Sequence, residues 1–273
     1  MGTRRVIEMM IQIAALQCPL GHPLTVEDKI FLLRRRPDFV CLPEYYFVPP
    51  DCRAAEEAAQ RAKENLSTIE KLSIDLDTTI IGGSMVMQGE QGFTNTCAVF
   101  SRGRLVGLHH KINLHGNEPR RGMVPGREVN VFEIGGVRVG VLLCADVFET
   151  RLVKALEQQN VDVIFVPVTS PHRPEDTLFE KQLRDSTIFV RGAQLAKSYV
   201  IKTGGIGTVF GHRIQGRSGI FAPWGILAKT AVEDEDRKRI LTVALDIDEI
   251  REFKEKMVFS PEESFVTEPP NGP

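Results

Sequence analysis

Short apolar runs alternate with amphipathic segments along almost the whole chain, and this alternation most strongly limits its fold. Runs at 9–16, 39–42 and 161–166 have the length and composition of buried strands. Apolar residues at helical spacing mark 53–72 as a helix. Because strands and helices succeed each other without a Pro/Gly/Ser-rich linker, we expect an α/β domain with mixed sheets covered by helices. This domain is expected to span residues 1–259, followed by a loosely held tail at 260–273.

The same reading gives bounds for each element. Strands are predicted at 9–16, 39–42, 78–87, 93–100, 105–110, 130–134, 137–143, 161–166, 199–203, 219–221, 226–230 and 240–247. Helices are predicted at 25–36, 53–72, 149–159, 176–196 and 248–256, with Asp176 as the N-cap of the fourth.

Composition excludes several classes of protein. The chain is 42% hydrophobic and 26% charged with a net charge of −2, so no strong field attracts nucleic acid or a membrane surface. No apolar stretch reaches the roughly 18 residues of a membrane span, and Glu8 interrupts any signal-peptide core. Five scattered cysteines without paired spacing predict reduced thiols and neither a disulfide framework nor a metal site. We therefore expect a cytoplasmic protein.

Three side chains with catalytic potential follow three predicted strands. Glu44 comes after the run 39–42, Lys111 after 105–110, and Cys144 directly after 137–143. The carboxyl ends of strands in open α/β sheets are where ligands gather, so a base, a cation and a nucleophile could meet there. Taken singly, each residue has a plainer interpretation: a solvated loop glutamate, an edge lysine and a space-filling thiol.

The sequence around these residues resembles the nitrilase (carbon–nitrogen hydrolase) superfamily in order and spacing. The three sequence motifs that carry the resemblance are LPE at 42–44, HKINL at 110–114 and GVLLCAD at 140–146. Weaker matches extend the resemblance over nearly the whole chain: AALQ at 14–17, VPG at 124–126, GRS at 216–218 and APWG at 222–225.

This resemblance implies a four-layer α-β-β-α sandwich with two mixed sheets and a Glu44–Lys111–Cys144 triad. A second family glutamate is matched best by Glu118 and less well by Glu128. No metal or organic cofactor is implied. The family commonly forms homodimers, so a homodimer or a larger homo-oligomer is expected.

The implied chemistry is acyl transfer through sulfur. Glu44 would take the thiol proton, Lys111 would favour the thiolate and the developing oxyanion, and the backbone N–H of Ala145 would be a second oxyanion donor. A thioester on Cys144 would then be hydrolysed by water that Glu44 activates.

The residue two positions after the cysteine bears on the substrate. Relatives that act on nitriles usually carry C-W-E there, whereas this chain has Cys144-Ala145-Asp146, which favours a small amide or carbamoyl substrate. Tyr45, Thr169, Ser170 and Ala145 are the predicted substrate-binding residues. Nitrile hydrolysis, acyl transfer to an amine and a non-catalytic binding role remain alternatives.

Overall fold

Two mixed β-sheets packed face to face form the centre of the molecule. The computed structural model describes residues 9–256, so the tail predicted at 260–273 lies outside the described residues. No helix within 9–256 is both long enough and apolar enough to span a membrane.

The bounds of the elements in residues 9–256 are as follows. The strands are β1 (Met10–Pro19), β2 (Phe39–Cys41), β3 (Thr79–Ile81), β4 (Met85–Gln88), β5 (Phe93–Ser101), β6 (Arg104–His110), β7 (Val131–Ile134), β8 (Val137–Val141), β9 (Val163–Val168), β10 (Ser170–Pro171), β11 (Tyr199–Val209), β12 (His212–Gln215), β13 (Gly219–Ala222), β14 (Gly225–Lys229) and β15 (Arg239–Asp246). The helices are α1 (Val26–Arg35), α2 (Ala55–Ala59), α3 (Ala62–Asp75), α4 (Thr150–Gln158), α5 (Leu178–Asp185), α6 (Arg191–Ala196) and α7 (Ile247–Lys256).

The two sheets have the same arrangement of strands, with parallel strands flanked by antiparallel ones. The first runs β15-β1-β2-β3-β5-β6, with parallel pairing among β1, β2 and β3 and with β4 also paired to β5. The second runs β14-β13-β11-β9-β8-β7, with parallel pairing among β8, β9 and β11. A short parallel contact between the ends of β1 and β11, at Cys18–Gly205 and Pro19–Ile206, connects them. The parallel strands therefore lie at the centre of each sheet.

Side chains of β1 show how the layers arise. Ile11 and Ile13 point into the apolar core between the sheets, where Val139 and Phe165 meet them from the second sheet. Leu16 points to the opposite face, into a cluster that includes residues of α1 and α3. The outer face of the second sheet packs on α4 and α6 in the same way. These four layers confirm the α-β-β-α sandwich.

The prediction of one continuous helix at 53–72 is wrong. The structure has α2 and α3 in its place, separated by a turn at Gln60 and Arg61. The two helices bury different surfaces: Ala58 joins a satellite apolar cluster, while Ile69 packs on the first sheet. Helical spacing alone cannot show this change of direction because both halves keep the same period.

Two other predicted elements are interrupted. The strand at 78–87 is divided into β3 and β4 at Gly82-Gly83. The helix at 176–196 consists of α5, one π-helical turn (Ser186–Val190) and α6. Asp176 is not its N-cap, because the hydroxyl of Thr177 accepts the backbone N–H of Glu180 in a capping box, while the Asp176 carboxylate binds Arg184 at 2.6 Å.

Gly83 determines how closely the chain can approach the segment before Glu44. Its φ of +62° lies in the left-handed region, and a Cβ atom there would collide with the carbonyl oxygen of Pro43. Gly135 has nearly the same φ, +59°, with no atom within 4 Å of such a Cβ. The two glycines thus separate the effect of backbone conformation from the effect of crowding.

Gly83→Ala is expected to destabilise the protein more than Gly135→Ala does. The latter carries only the left-handed strain of about 1–2 kcal/mol, whereas Gly83→Ala adds an overpacking term of roughly 1–3 kcal/mol. Urea unfolding of both variants measures the difference in free energy of unfolding. Equal losses would show that the turn before Glu44 relaxes around an added methyl group.

Candidate active site

Four strand ends bring Glu44, Lys111, Cys144 and Thr169 to the same edge of the sandwich. Glu44 follows β2 and Lys111 follows β6 of the first sheet, while Cys144 follows β8 and Thr169 follows β9 of the second. Lys111 Nζ donates to Glu44 Oε1 at 2.9 Å. Glu44 Oε2 accepts the Thr169 backbone N–H at 3.0 Å, and the carbonyl oxygen of Thr169 lies 3.8 Å from Cys144 Sγ. Contacts between the two sheets therefore define the site.

The Lys111 ammonium lies between two buried carboxylates. Besides Glu44, it binds Glu118 at 2.9 Å, and all three side chains are at most 8% exposed. Burial disfavours the ammonium, but the negative charges of Glu44 and Glu118 outweigh that penalty, so the pKa of Lys111 lies above its ordinary value. Glu128 is exposed, so Glu118 is the second glutamate at this site.

Glu118 is fixed by three further donors. Its Oε1 accepts the Tyr45 hydroxyl at 2.6 Å and Asn95 Nδ2 at 3.1 Å, and its Oε2 accepts the backbone N–H of His115 at 2.8 Å. Burial and the neighbouring carboxylate of Glu118 raise the pKa of Tyr45 well above its ordinary value. The phenol therefore stays a neutral donor at physiological pH.

Asn95 is a site residue that the sequence reading missed. It lies within β5, and its amide nitrogen also donates to Glu44 Oε1 at 3.0 Å. The backbone carbonyl oxygen of Asn95 accepts the backbone N–H of Lys111 at 2.8 Å. The polar triplet Thr94-Asn95-Thr96 inside an otherwise apolar strand was the available signal.

Cys144 occupies a strained backbone position. Its φ is +49°, in the left-handed region, and it begins a 3₁₀ turn (Cys144–Phe148). The backbone N–H of Ala145 lies in the first turn, where no carbonyl group of the turn can accept it. Cys144 as a whole is partly exposed to solvent, but its sulfur atom is surrounded by protein atoms. Burial and the charge of Glu44 raise the pKa of the Cys144 thiol to about 12, while Lys111 opposes the shift.

Asp146 joins the segments that carry Cys144 and Lys111. Its Oδ1 accepts the backbone N–H groups of Ile112 and Asn113 at 3.0 and 2.6 Å, directly after Lys111. Its Oδ2 accepts the N–H of Leu143 at 2.9 Å, directly before Cys144, and lies 3.4 Å from His109 Nε2. The side chain is fully buried. One carboxylate therefore sets the spacing between two strand ends.

The predicted substrate-binding residues lie around this centre, and their contact with substrate stays a prediction. Tyr45 is buried and binds Glu118, and Thr169 binds Glu44. Ala145 is buried, with its carbonyl oxygen accepting Asn113 Nδ2 at 2.9 Å. Ser170 is half-buried and pairs with Gln215 where β10 meets β12.

The chain belongs to the carbon–nitrogen hydrolase family, whose model matches residues 12–255. This match confirms the resemblance noted in the sequence. Among curated proteins, the chain is 24% identical over 237 residues to omega-amidase NIT2 of Xenopus tropicalis, covering 80% of each chain. The human omega-amidase NIT2 gives the same identity and coverage.

Solved structures share the fold. A carbon–nitrogen hydrolase from Helicobacter pylori superimposes with a TM-score of 0.76 at 18% identity, covering 91% of this chain and 93% of its own. An amidase from Nesterenkonia sp. superimposes with a TM-score of 0.72 at 17% identity, covering 94% and 100%. In that structure a Glu-to-Gln variant carries the acetamide moiety of fluoroacetamide on the active-site cysteine.

The raised thiol pKa predicts slow modification of Cys144 at neutral pH. A group whose pKa rises to about 12 stays protonated well above the ordinary thiol range. The rate of reaction with methyl methanethiolsulfonate should therefore keep rising through pH 10. Mass spectrometry with Cys144→Ala as the control isolates this site from the four other, buried cysteines. A rate that levels off below pH 8.5 would contradict the assignment.

Asp146→Asn should both destabilise the protein and slow its reaction. An amide group in place of the carboxylate turns an NH₂ group toward backbone N–H donors, at a cost of about 2–4 kcal/mol. The displaced strand ends should lower turnover roughly 100-fold even where the protein is folded. Urea unfolding and steady-state kinetics measure the two effects, with exposed Asp51→Asn as the matched control. Normal turnover would show that Asp146 has no part in positioning Cys144.

Proposed function

We propose that the protein hydrolyses a non-peptide C–N bond of a small linear amide or carbamoyl compound through a thioester on Cys144. The observation that carries this proposal is the Lys111 ammonium, bound at 2.9 Å by Glu44 beside a partly accessible thiol. A base, a cation and a nucleophile within one buried cluster are what acyl transfer to sulfur requires.

Acylation begins from the protonated thiol. As Sγ attacks the amide carbon, the S–H bond breaks and the proton passes to Glu44, so thiolate forms only during the attack. The carbonyl oxygen becomes negative and is stabilised by the Lys111 ammonium and the Ala145 N–H. The C–N bond then breaks, and Glu44 returns its proton to the leaving amine or ammonia.

Deacylation reverses the roles around the same carboxylate. A water molecule attacks the thioester while Glu44 takes one of its protons. The C–S bond breaks, Cys144 regains a proton from Glu44, and a carboxylic acid leaves. No step in this proposed scheme uses a metal ion or an organic cofactor.

Glu118 acts through Lys111 in this scheme. With Glu44 alone, the ammonium would lose much of its stabilisation whenever Glu44 is protonated during the cycle. The second carboxylate at 2.9 Å keeps Lys111 charged in that state. The Tyr45 hydroxyl and the backbone N–H of His115 hold Glu118 in place in addition to the Asn95 amide group that it shares with Glu44, so Glu118 keeps its position when Glu44 carries a proton.

Several observations favour an amide over a nitrile. The curated relatives reported above are omega-amidases, and one structural neighbour is an amidase. The Cys144-Ala145-Asp146 sequence points to the same bond. A cytoplasmic location and a homodimeric assembly are further proposals, the second testable by sedimentation of the purified protein.

A panel of acetamide, propionamide, succinamate, glutaramate and N-carbamoyl amino acids should include a compound from which the protein releases ammonia. Cys144→Ala should abolish that release and Glu44→Gln should lower it at least 100-fold, because base catalysis contributes about 10²–10⁴-fold. Cys18→Ala removes a buried thiol on the outer face of β1 and should keep activity.

Three outcomes of this panel are decisive. Ammonia release by Cys144→Ala would exclude the thioester. A wild-type protein that forms no thioester with any panel compound would favour a binding role. Hydroxamate formation with hydroxylamine, in excess over acid formation, would identify acyl transfer as the main reaction.

A further inference from the structure

The Glu44 carboxylate already accepts four hydrogen bonds, and none of them comes from Cys144. Oε1 accepts Lys111 Nζ and Asn95 Nδ2. Oε2 accepts both the backbone N–H and the hydroxyl of Thr169, the latter at 2.5 Å. A base in this state has to exchange one of its partners before it can receive a proton.

The four donors differ in whether they can make that exchange. An ammonium group and an amide NH₂ only donate, and a backbone N–H only donates from a fixed position. A hydroxyl has one proton and two lone pairs and can rotate. Thr169 Oγ1 is therefore the one partner of Glu44 in residues 9–256 that can change from donor to acceptor.

We infer that Thr169 is a positioning residue for Glu44, whose hydroxyl orients the oxygen that receives the Cys144 proton and then reverses its hydrogen bond. In the resting state Thr169 Oγ1–H donates to Oε2. When the S–H bond of Cys144 breaks and an O–H bond forms on Oε2, that new group donates to Thr169 Oγ1, which keeps its own proton. The inference rests on the proposed function, because it concerns the same base and nucleophile.

The position of Thr169 supports this role. The residue follows β9, while Glu44 follows β2 of the other sheet, so its two bonds to Oε2 cross the boundary between the sheets. Its carbonyl oxygen is also the hydrogen-bond partner of Cys144 Sγ. One residue thus contacts both groups between which the proton moves.

Other charged groups around Glu44 do not duplicate this function. Lys111 contacts it from the end of β6, Glu118 binds that lysine, and Tyr45 binds Glu118. Cys144 is the remaining titratable neighbour. A change at Thr169 alters the donors to Oε2 and leaves these four groups in place.

The test compares Thr169→Val, which removes the hydroxyl and keeps the branched shape, with Thr169→Ser, which keeps the hydroxyl. Thr68→Val is the matched control, since Thr68 lies exposed on α3 and bonds only its own helix. The readout is kcat/KM against pH for the best amide of the panel and for p-nitrophenyl acetate as a chromogenic acyl donor. Urea unfolding confirms that each variant is folded, and Thr169→Ala replaces Thr169→Val should the latter not fold.

Thr169→Val should lower kcat/KM roughly 10- to 100-fold, as expected for a lost hydrogen bond to a charged group. Because a lost donor favours the protonated carboxyl, the acidic limb of the profile should move to higher pH. Thr169→Ser should keep kcat/KM within about 3-fold of the wild-type value and leave the acidic limb of its pH profile unmoved. A purely structural role would lower the rate by one factor at every pH.

Wild-type activity in Thr169→Val, or an acidic limb that does not move, would overturn the inference while leaving the proposed hydrolysis intact. Equal losses in Thr169→Val and Thr169→Ser would also overturn it, because the hydroxyl would then not matter. A wild-type protein without activity on either kind of compound would overturn the proposed function and this inference together.

Discussion

A lysine ammonium enclosed by two carboxylates is the constraint on which the rest of the site depends. Lys111, Glu44 and Glu118 place one ammonium and two carboxylate groups together where each side chain is at most 8% exposed. Such a group is stable only if the remaining polar atoms find partners. Tyr45, Asn95 and the backbone around them supply those partners. Burial and the negative charge of Glu44 together raise the pKa of the Cys144 thiol and so disfavour a preformed thiolate. This suits a nucleophile that is deprotonated during the attack.

Local backbone strain holds this cluster in place. Tyr45 and Cys144, the residues at two of the turns that form the site, both have positive φ values, of 55° and 49°. Non-glycine residues adopt this conformation at a cost of about 1–3 kcal/mol, so surrounding contacts must enforce it. Asp146 enforces this conformation at Cys144 by accepting the backbone N–H of Leu143. Ser84 Oγ enforces it at Tyr45 by accepting the backbone N–H of Tyr45.

Local pattern was sufficient for an α/β domain with mixed sheets and for the strand ends that carry the site, whereas the four-layer arrangement was predicted from the family resemblance. Glu44, Lys111 and Cys144 each follow an apolar run, and that position alone indicated a shared edge. Asn95 was missed because its role depends on the pairing of β5 with β6, where Thr96 lies opposite His110. The partner of Thr169 was equally hidden, since Glu44 lies 125 residues away in the other sheet. Strand register and the distance between sheets depend on packing, so the spacing of apolar residues along the sequence does not reveal them.

The division of the site between the sheets makes catalysis sensitive to sliding. Glu44 and Lys111 move with one sheet, Cys144 and Thr169 with the other, and the apolar layer containing Phe39 and Phe165 lies between them. A displacement of about 1 Å is enough to reduce a reaction of this kind by roughly 100-fold, yet it would break few of the hydrogen bonds within either sheet. We expect heat or pressure that shifts one sheet against the other to lower turnover before the strands separate. The reaction rate is therefore sensitive to the alignment of the two sheets.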